Sequence, residues 1–463
     1  MDIKLTNTLG RKKEVFKPIK KGEANMYTCG LTVYNYAHIG NLRAYVFSDI
    51  LKRTLQFNNY KVKHIENITD VGHLTSDADE GEDKLEKGAK REKKTVWEIA
   101  QHYTDAFMDD MKELNIIKPK NMPKATDHIK EMIQLIKKLE KNGCTYEAGG
   151  NIYYDTSKFK DYPKLAKLKM NEEAAQSRVG KDPNKKNSFD FVLWFTKHKY
   201  SSHEMEWDSP WGRGFPGWHI ECSAMSSKYL GEHFDIHTGG VDHIPIHHTN
   251  EIAQSEGAFQ HKWVNYWLHC GWLTIDAGKM SKSAGNFITL KTLTKKGYNP
   301  MEYRYFLLGA NYNRPITFSY TALDSAKTAM KKLKAKVIEI KKAKDELDKK
   351  EYDKQLIKFT EIINNDLNTP KALALLLDVA SNEKLSNKTK LELIKKYDEV
   401  LGLRLLETKE ETIPKEVLKL KSERDKARTE KDFAKSDKLR DEIRNKGYEV
   451  LDEKEESVVR KIK

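Results

Sequence analysis

The segment Lys279-Met280-Ser281-Lys282-Ser283, bounded by Gly278 and Gly285, carries two lysines on a glycine-flanked stretch. Paired lysines in such a setting can close over a polyphosphate and neutralise charge as it develops. Far upstream, His38-Ile39-Gly40-Asn41 lies between Cys29 and an apolar run at helical spacing: Leu42, Tyr45, Val46, Ile50, Leu51 and Leu55. Met26-Tyr27-Thr28-Cys29 reads as the end of a buried strand, with Gly30 opening the turn after it. A strand, a loop holding Gly30 and Gly40, and then a helix N-terminus make an anion site, because unpaired N–H groups and the helix dipole both favour phosphate. His38 and Asn41 add side-chain donors there, and Gly40 lets a flat base approach the backbone. Either motif alone is as compatible with a satisfied core histidine or a solvated lysine loop. The ordered pair points to two halves of one ATP-activating site.

A second constellation has metal-ligand chemistry. His247-His248-Thr249-Asn250-Glu251 puts His247 and Glu251 on one face of a helix. With Cys29, and with Cys222 in Gly217-Trp218-His219-Ile220-Glu221-Cys222, they would complete a zinc-type donor set of two thiolates, one imidazole and one carboxylate. The four residues are scattered and no paired-cysteine knuckle is present, so small buried thiols remain the alternative.

These residues bring a family into view. The chain resembles the cysteinyl-tRNA synthetases, class I aminoacyl-tRNA synthetases, along nearly its whole length. The family's HIGH signature stands here as His38-Ile39-Gly40-Asn41, and its KMSKS signature is intact from Lys279 to Ser283. The runs Trp207-Asp208-Ser209-Pro210-Trp211, Pro216-Gly217-Trp218-His219-Ile220-Glu221-Cys222-Ser223-Ala224-Met225 and His247-His248-Thr249-Asn250-Glu251-Ile252-Ala253-Gln254 are close to family fingerprints. The resemblance implies one zinc ion on Cys29, Cys222, His247 and Glu251, with Mg²⁺ accompanying ATP. It also implies that L-cysteine is activated to cysteinyl-adenylate and transferred to the 3′-terminal adenosine of tRNA(Cys), the metal selecting the thiol. His38, Asn41, Lys279 and Lys282 are the expected catalytic residues, joined at ATP by Gly40, Gly239 and Asp242. Gly30, Thr32, Thr69, Trp218 and His219 are expected around the amino acid, with His237 and His243 as outer partners of the metal or ordinary buried polar groups. Asn41 departs from the family's final histidine, so one phosphate contact falls to an amide or another group. Thr238-Gly239-Gly240-Val241-Asp242-His243 and Asp70-Val71-Gly72-His73 depart from the family form as well. Two rivals stand beside this reading: an ATP-dependent cysteine ligase acting on a small amine, and a non-catalytic tRNA-binding paralogue.

The elements that must hold these groups follow a domain order. At 463 residues the chain exceeds what one core supports. The expected fold is α/β: a split Rossmann-type parallel-sheet catalytic domain with an insertion, followed by a helical bundle and a small anticodon-binding unit. Residues 1–117 form the first catalytic half, 118–205 the insertion and 206–278 the second half. The KMSKS and stem-contact region follows over 279–320, the bundle over 321–408 and the terminal unit over 409–463. Thr95 and Glu98 form a capping box for a helix whose face reads Val96, Ile99, Tyr103, Phe107, Met111 and Leu114. Leu323, Ala326, Met330, Leu333, Val337 and Ile340 mark a bundle helix, and Thr369-Pro370 a cap with proline in the first turn. The terminal unit gathers around Phe433, Leu439 and Ile443, with Gly447 as a helix stop. Its Arg424, Lys426, Arg428, Lys435, Lys438, Arg440 and Arg444 are candidates for phosphate contacts. The charged run from Asp79 to Lys94 reads as a loop.

Composition narrows the class. A formal charge of +14 suits a polyanionic partner, although lysine also covers ordinary helix faces throughout. No apolar run reaches the roughly 20 residues that span a bilayer. The N-terminus shows no signal-peptide core, and 4 widely spaced cysteines form no disulfide framework. A cytoplasmic, monomeric protein with no membrane partner is expected.

Overall fold

The computed structural model describes residues 1–71, 74, 83–167, 182–197, 204–275, 287–342, 344–407, 414–452 and 457–461. Its centre is a four-stranded parallel sheet. In spatial order the strands are Val264–Cys270, Phe234–Gly240, Glu23–Thr28 and Lys61–Glu66. The chain makes the sheet in two βαβ passes. Glu23–Thr28 runs through helix Ile39–Phe57 to Lys61–Glu66, and Phe234–Gly240 runs through helix His247–Phe259 to Val264–Cys270. The first pass moves outward on one side of Glu23–Thr28, and the second begins on its other side. The gap between the carboxyl ends of Glu23–Thr28 and Phe234–Gly240 is therefore a topological switch point, where open parallel sheets bind ligands.

Apolar spacing accounts for most helices. In Ile39–Phe57 the stripe Leu42, Tyr45, Val46, Ile50, Leu51 and Leu55 is buried, as are Val96, Ile99, Tyr103, Phe107 and Met111 of Val96–Glu113, with Leu114 as its C-cap. Thr95 and Glu98 form the reciprocal cap. The helix Tyr320–Lys342 buries Leu323, Ala326, Met330, Leu333, Val337 and Ile340. It packs with Lys349–Asn364, Thr369–Ser381 and Asn387–Leu401 as a bundle.

Between the two βαβ passes lies an antiparallel sheet in the order Thr145–Ala148, Asn151–Tyr154, Phe191–Phe195, Phe215–Pro216. Its last strand comes from the 206–278 segment. Gly217 explains the close return: a Cβ there would stand 2.1 Å from the Val192 carbonyl oxygen.

Buried polar contacts tie the sheet to the bundle. Asp49, on the first helix, accepts from Arg304 Nη2 at 2.6 Å and from Arg53 Nε at 2.7 Å. Arg304 also donates to the carbonyls of Leu401 and Leu114, each at 2.9 Å. Burial alone would raise the Asp49 pKa, but the Arg304 and Arg53 charges outweigh it and hold the carboxyl below its usual range.

Several local expectations change. Helix Ile39–Phe57 begins before Gly40, so that glycine lies in the first turn and the loop ends at His38. Residues 84–92 of the charged run form a helix, N-capped by Asp83 and burying Leu85 and Ala89 against Val96–Glu113. The cap of Thr369–Ser381 is Asn368, whose side chain accepts from the Lys371 N–H.

Residues Glu407–Lys463 form a separate compact unit. Helices Lys415–Thr429 and Phe433–Asn445 pack with the hairpin Tyr448–Asp452/Ser457–Lys461 around Val417, Ile443, Val450 and Val459. Gly447 follows the second helix at φ +82°, as a helix stop requires. Phe433 is 62 % exposed and so does not join this core. Arg424 is not available to a phosphate: it is 2 % exposed and makes a bidentate pair with Asp452 at 2.7 and 2.8 Å. Arg428 and Arg440 converge on the same carboxylate. Among the described residues, no helix is long and apolar enough to cross a membrane.

Candidate functional site

The first central strand ends at Thr28, and Cys29 follows, its N–H bonded to the Thr238 carbonyl at 3.2 Å. Gly30 comes next and must be glycine. Its N–H donates to Asn67 Oδ1 at 2.8 Å, and a Cβ would fall 1.5 Å from the Asn67 carbonyl oxygen. Thr32 and Thr69 face each other in a parallel bridge, and Asn67 Nδ2 donates to Thr69 Oγ1 at 2.9 Å. The chain beyond Cys29 is thus pinned to the chain beyond the neighbouring strand.

The parallel sheet brings Cys29 to two helices that the sequence keeps far away. Cys222 lies in helix Trp218–Leu230, and His247 and Glu251 share a face of His247–Phe259. One donor atom from each of Cys29, Cys222, His247 and Glu251 falls within 4.8 Å of all the others, and all four residues are buried. The two sulfurs stand 3.7 Å apart, and Cys29 Sγ is 3.7 Å from Glu251 Oε1. Ligand atoms on one tetrahedral zinc stand roughly 3.3–3.8 Å apart, so the sulfur spacing fits. His247 Nε2 is 3.0 Å from Glu251 Oε1, while its Nδ1 lies 2.9 Å from His219 Nδ1. One ring nitrogen is therefore left for the cluster and the other is held by a neighbour, as ligating imidazoles require. The Trp218 ring stacks on His247 with centroids 4.2 Å apart.

Charge in this cluster is set by burial and close partners. Burial opposes protonation of His247, yet the Glu251 and Cys222 charges outweigh it and push the imidazole up to about 10. Burial would raise Glu251, but His247 and His237 hold it well below the carboxylate range. Burial pushes the Cys29 thiol up. Burial would raise Cys222 too, but its hydrogen bond with Cys29 and the neighbouring His247 hold that thiol below its usual range.

Sequence reasoning understated the histidines around this set. His237 Nε2 is 3.0 Å from Glu251 Oε2, and His248 Nε2 is 3.2 Å from Cys29 Sγ. Cys29, His237, His248 and Glu251 form a second convergent group sharing two members with the first. His248 Nδ1 continues to His269 Nε2 at 2.7 Å, and His269 Nδ1 to Thr8 Oγ1 at 2.8 Å. The doublet His247-His248 was the available signal; His269 had none.

The nucleotide-type half is built differently. His38 is the N-cap of Ile39–Phe57. Its Nδ1 accepts from the Asn41 N–H at 3.1 Å, and Asn41 Oδ1 accepts from the His38 N–H at 3.1 Å. Asn41 thus closes a capping box, leaving only its amide N–H₂ as a donor. Burial lowers the His38 pKa despite the opposing charge of Asp242, and because Nδ1 accepts from the Asn41 N–H, Nε2 is the nitrogen left to donate. Across the switch point, Gly239 admits no side chain: a Cβ would lie 2.6 Å from the His248 ring and 2.7 Å from the His243 ring. Asp242 is the middle residue of the short turn Val241–His243 that follows Gly240, and it is exposed. Lys279 and Lys282 lie outside the described residues.

The chain's likeness to known proteins follows the same outline. A family model described as "tRNA synthetases class I (C) catalytic domain" matches residues 15–328. A cysteine--tRNA ligase of Treponema denticola is 48 % identical over 98 % of this chain and 98 % of its own. One from Burkholderia lata, cysteine--tRNA ligase 1, is 46 % identical over 98 % of this chain and 95 % of its own. The solved methionyl-tRNA synthetase of Mycobacterium tuberculosis, in complex with methionyl-adenylate, shares the fold. Its TM-score is 0.59 at 14 % identity, covering 83 % of this chain and 93 % of that one. Full-length identity to these ligases, the matching domain model and the class I fold around the switch point lead to one conclusion: the chain belongs to the cysteine--tRNA ligase family of class I aminoacyl-tRNA synthetases, and is an enzyme.

Proposed function

We propose that this enzyme joins L-cysteine to ATP, accompanied by Mg²⁺, as cysteinyl-adenylate, and then transfers the cysteinyl group to the 3′-terminal adenosine of tRNA(Cys). The observation that carries the cysteine assignment is the buried meeting of Cys29, Cys222, His247 and Glu251 beside the switch point. Those four residues would hold a zinc ion. When bound, it would supply a soft Lewis acid that favours a thiolate over the hard, high-pKa hydroxyl of serine.

The remaining steps rest on the chain's own groups. In activation, a substrate carboxylate oxygen bonds to the α-phosphorus while the bond to pyrophosphate breaks, so no protein base is needed. The residues' task is alignment and charge stabilisation. The capped N-terminus of Ile39–Phe57 offers main-chain dipoles to the phosphates. His38 offers its Nε2–H and Asn41 its amide N–H₂. Lys279 and Lys282 neutralise charge on the departing pyrophosphate. Gly239 and Asp242 receive the nucleoside, Gly239 because it leaves room and Asp242 through its carboxylate. Gly30, Thr32 and Thr69 hold the amino-acid backbone, while Trp218 and His219 fix the ring of His247. In transfer, the terminal ribose hydroxyl attacks the activated carbonyl and AMP leaves. Discrimination built on one strong polar interaction reaches roughly 10⁴–10⁵ without editing. Residues 279–320 and the bundle 321–408 carry the stem contacts and residues 409–463 the anticodon contacts in this reading.

The test is direct. Purified protein is incubated with labelled cysteine, ATP-Mg²⁺ and a tRNA(Cys) transcript, and label on the RNA is measured. Base-labile label from cysteine, with little from serine, is expected. Cysteine-dependent AMP release with unlabelled RNA would replace this reading with transfer to a small amine. No adenylate at all from metal-replete protein would leave a non-catalytic tRNA-binding paralogue.

A further inference from the structure

Arg43 has a role that neither the metal cluster nor the phosphate motif assigns. It is 3 % exposed, and among the described residues no carboxylate forms an ion pair with it. Its guanidinium instead donates to five main-chain carbonyls: Gly271 at 2.7 Å, Trp272, Asn311 at 3.3 Å, Tyr312 at 3.5 Å and Arg314 at 2.5 Å. These acceptors belong to two stretches that run side by side. Gly271 N–H donates to the Tyr312 carbonyl at 2.7 Å, Ile316 N–H to the Trp272 carbonyl at 2.9 Å, and strand Leu273–Ile275 then pairs with Ile316–Phe318. Gly271 permits the approach, since a Cβ there would sit 2.6 Å from the Arg314 carbonyl oxygen. A planar fork of five N–H donors suits this cluster in a way that a lysine ammonium does not.

The same helix holds the chain again at its N-terminus. Ile39 N–H donates to the Ile288 carbonyl at 2.9 Å, His38 and Thr289 form an antiparallel bridge, and the His38 and Phe287 rings meet edge-on at 5.6 Å. Tyr303 adds a hydroxyl bond to the Ile39 carbonyl at 2.6 Å. Strand Leu273–Ile275 and residues 287–289, which bracket the segment bearing Lys279 and Lys282, are therefore both fastened to the first turns of the helix capped by His38 and Asn41.

We propose that Arg43 is a positioning residue that sets the two ATP-binding halves against each other by clamping the Gly271–Trp272 and Asn311–Arg314 backbones to the His38 helix. It touches no substrate and acts through carbonyls alone. The inference rests on the cysteine-activating function proposed above. Its loss lets the Gly271–Trp272 and Asn311–Arg314 stretches shift against the His38 helix, which disturbs the ATP end and leaves the thiol cluster intact.

The experiment is cysteine-dependent ATP–pyrophosphate exchange on the full chain, with zinc content and melting temperature measured for each variant. Arg43→Met should lower kcat by roughly 10²-fold, the scale of an ångström-level misplacement. Its cysteine KM should stay within about twofold of wild type, because binding at the thiol cluster is untouched. Zinc content should stay at the wild-type level. Arg43→Lys should recover part of that kcat. Gly271→Ala, which pushes the same two stretches apart without altering Arg43, should give the same split and stands in if Arg43→Met does not fold. Folded variants with wild-type kcat overturn the inference, as does a parallel loss of kcat, cysteine affinity and zinc. A wild-type enzyme with no exchange activity would instead remove the underlying function.

Discussion

On the His38 side of the switch point, the proposed chemistry rests on main-chain geometry: a helix N-terminus, a reciprocal cap and glycines where side chains would collide. On the Cys29 side it rests on four buried side chains drawn from one strand end and two helices. The first kind of site is local, and its dipoles keep their charge at every pH. The second exists only when the sheet has assembled, and each member is costly to bury unless its partners are present. One side of the same pocket therefore tolerates side-chain change that the other does not.

The largest expected effect lies on the Cys29 side. Cys222→Ala removes a soft donor, and zinc measured by plasma mass spectrometry should fall from one per chain to a small fraction. Cysteine activation should drop by about 10³-fold or more if, as proposed, this cluster discriminates the substrate thiol. Retention of wild-type zinc would end the assignment of that cluster. Next is His219→Ala, which frees the second nitrogen of His247. Zinc affinity, read by competition with a chelator, should weaken about 10–100-fold while the fold stays intact.

On the His38 side the change should be milder. Asn41→Ala opens the capping box and should cost about 1 kcal/mol of stability in urea melts, with exchange activity falling only about tenfold. A loss as large as that of Cys222→Ala would show that Asn41 acts on phosphate far more than on its helix.

The smallest effect tests whether buried side chains carry a pH cost that main-chain sites lack. Glu66, at the end of strand Lys61–Glu66, is 1 % exposed, and burial raises its carboxyl from 4.5 to about 8 although nearby Lys52 opposes this. A carboxyl whose folded pKa is raised favours the folded state fully below its unfolded pKa and loses that contribution as pH rises through about 8. Glu66→Gln should therefore gain melting temperature over wild type between pH 5 and 8.5, the difference widening upward. A constant difference would mean that Glu66 does not titrate in this window.

The same contrast explains what could be read from the chain alone. His38 to Asn41, the capping box at Thr95 and the stripe from Leu323 to Ile340 are contiguous or periodic, so spacing exposes them. The i,i+4 placement of His247 and Glu251 was equally visible. That Cys29 and Cys222 meet was not, because it depends on which strands adjoin, and only family resemblance suggested it. Arg424 looked like a free cation because Asp452, its partner, sits 28 residues away across a helix–hairpin contact. The helix over residues 84–92 was hidden by its composition: its apolar face is little more than Leu85 and Ala89.

The Asp49–Arg304 pair bears on how the protein is made. Asp49 is synthesised 255 residues ahead of Arg304, and Arg304's carbonyl partner Leu401 follows later still. Until then Asp49 has Arg53, one turn along the same helix, for its charge but lacks the second cation that offsets its burial. A chain interrupted before residue 304 therefore buries that carboxylate with one cation instead of two, and its first helix packs on the sheet at a higher cost.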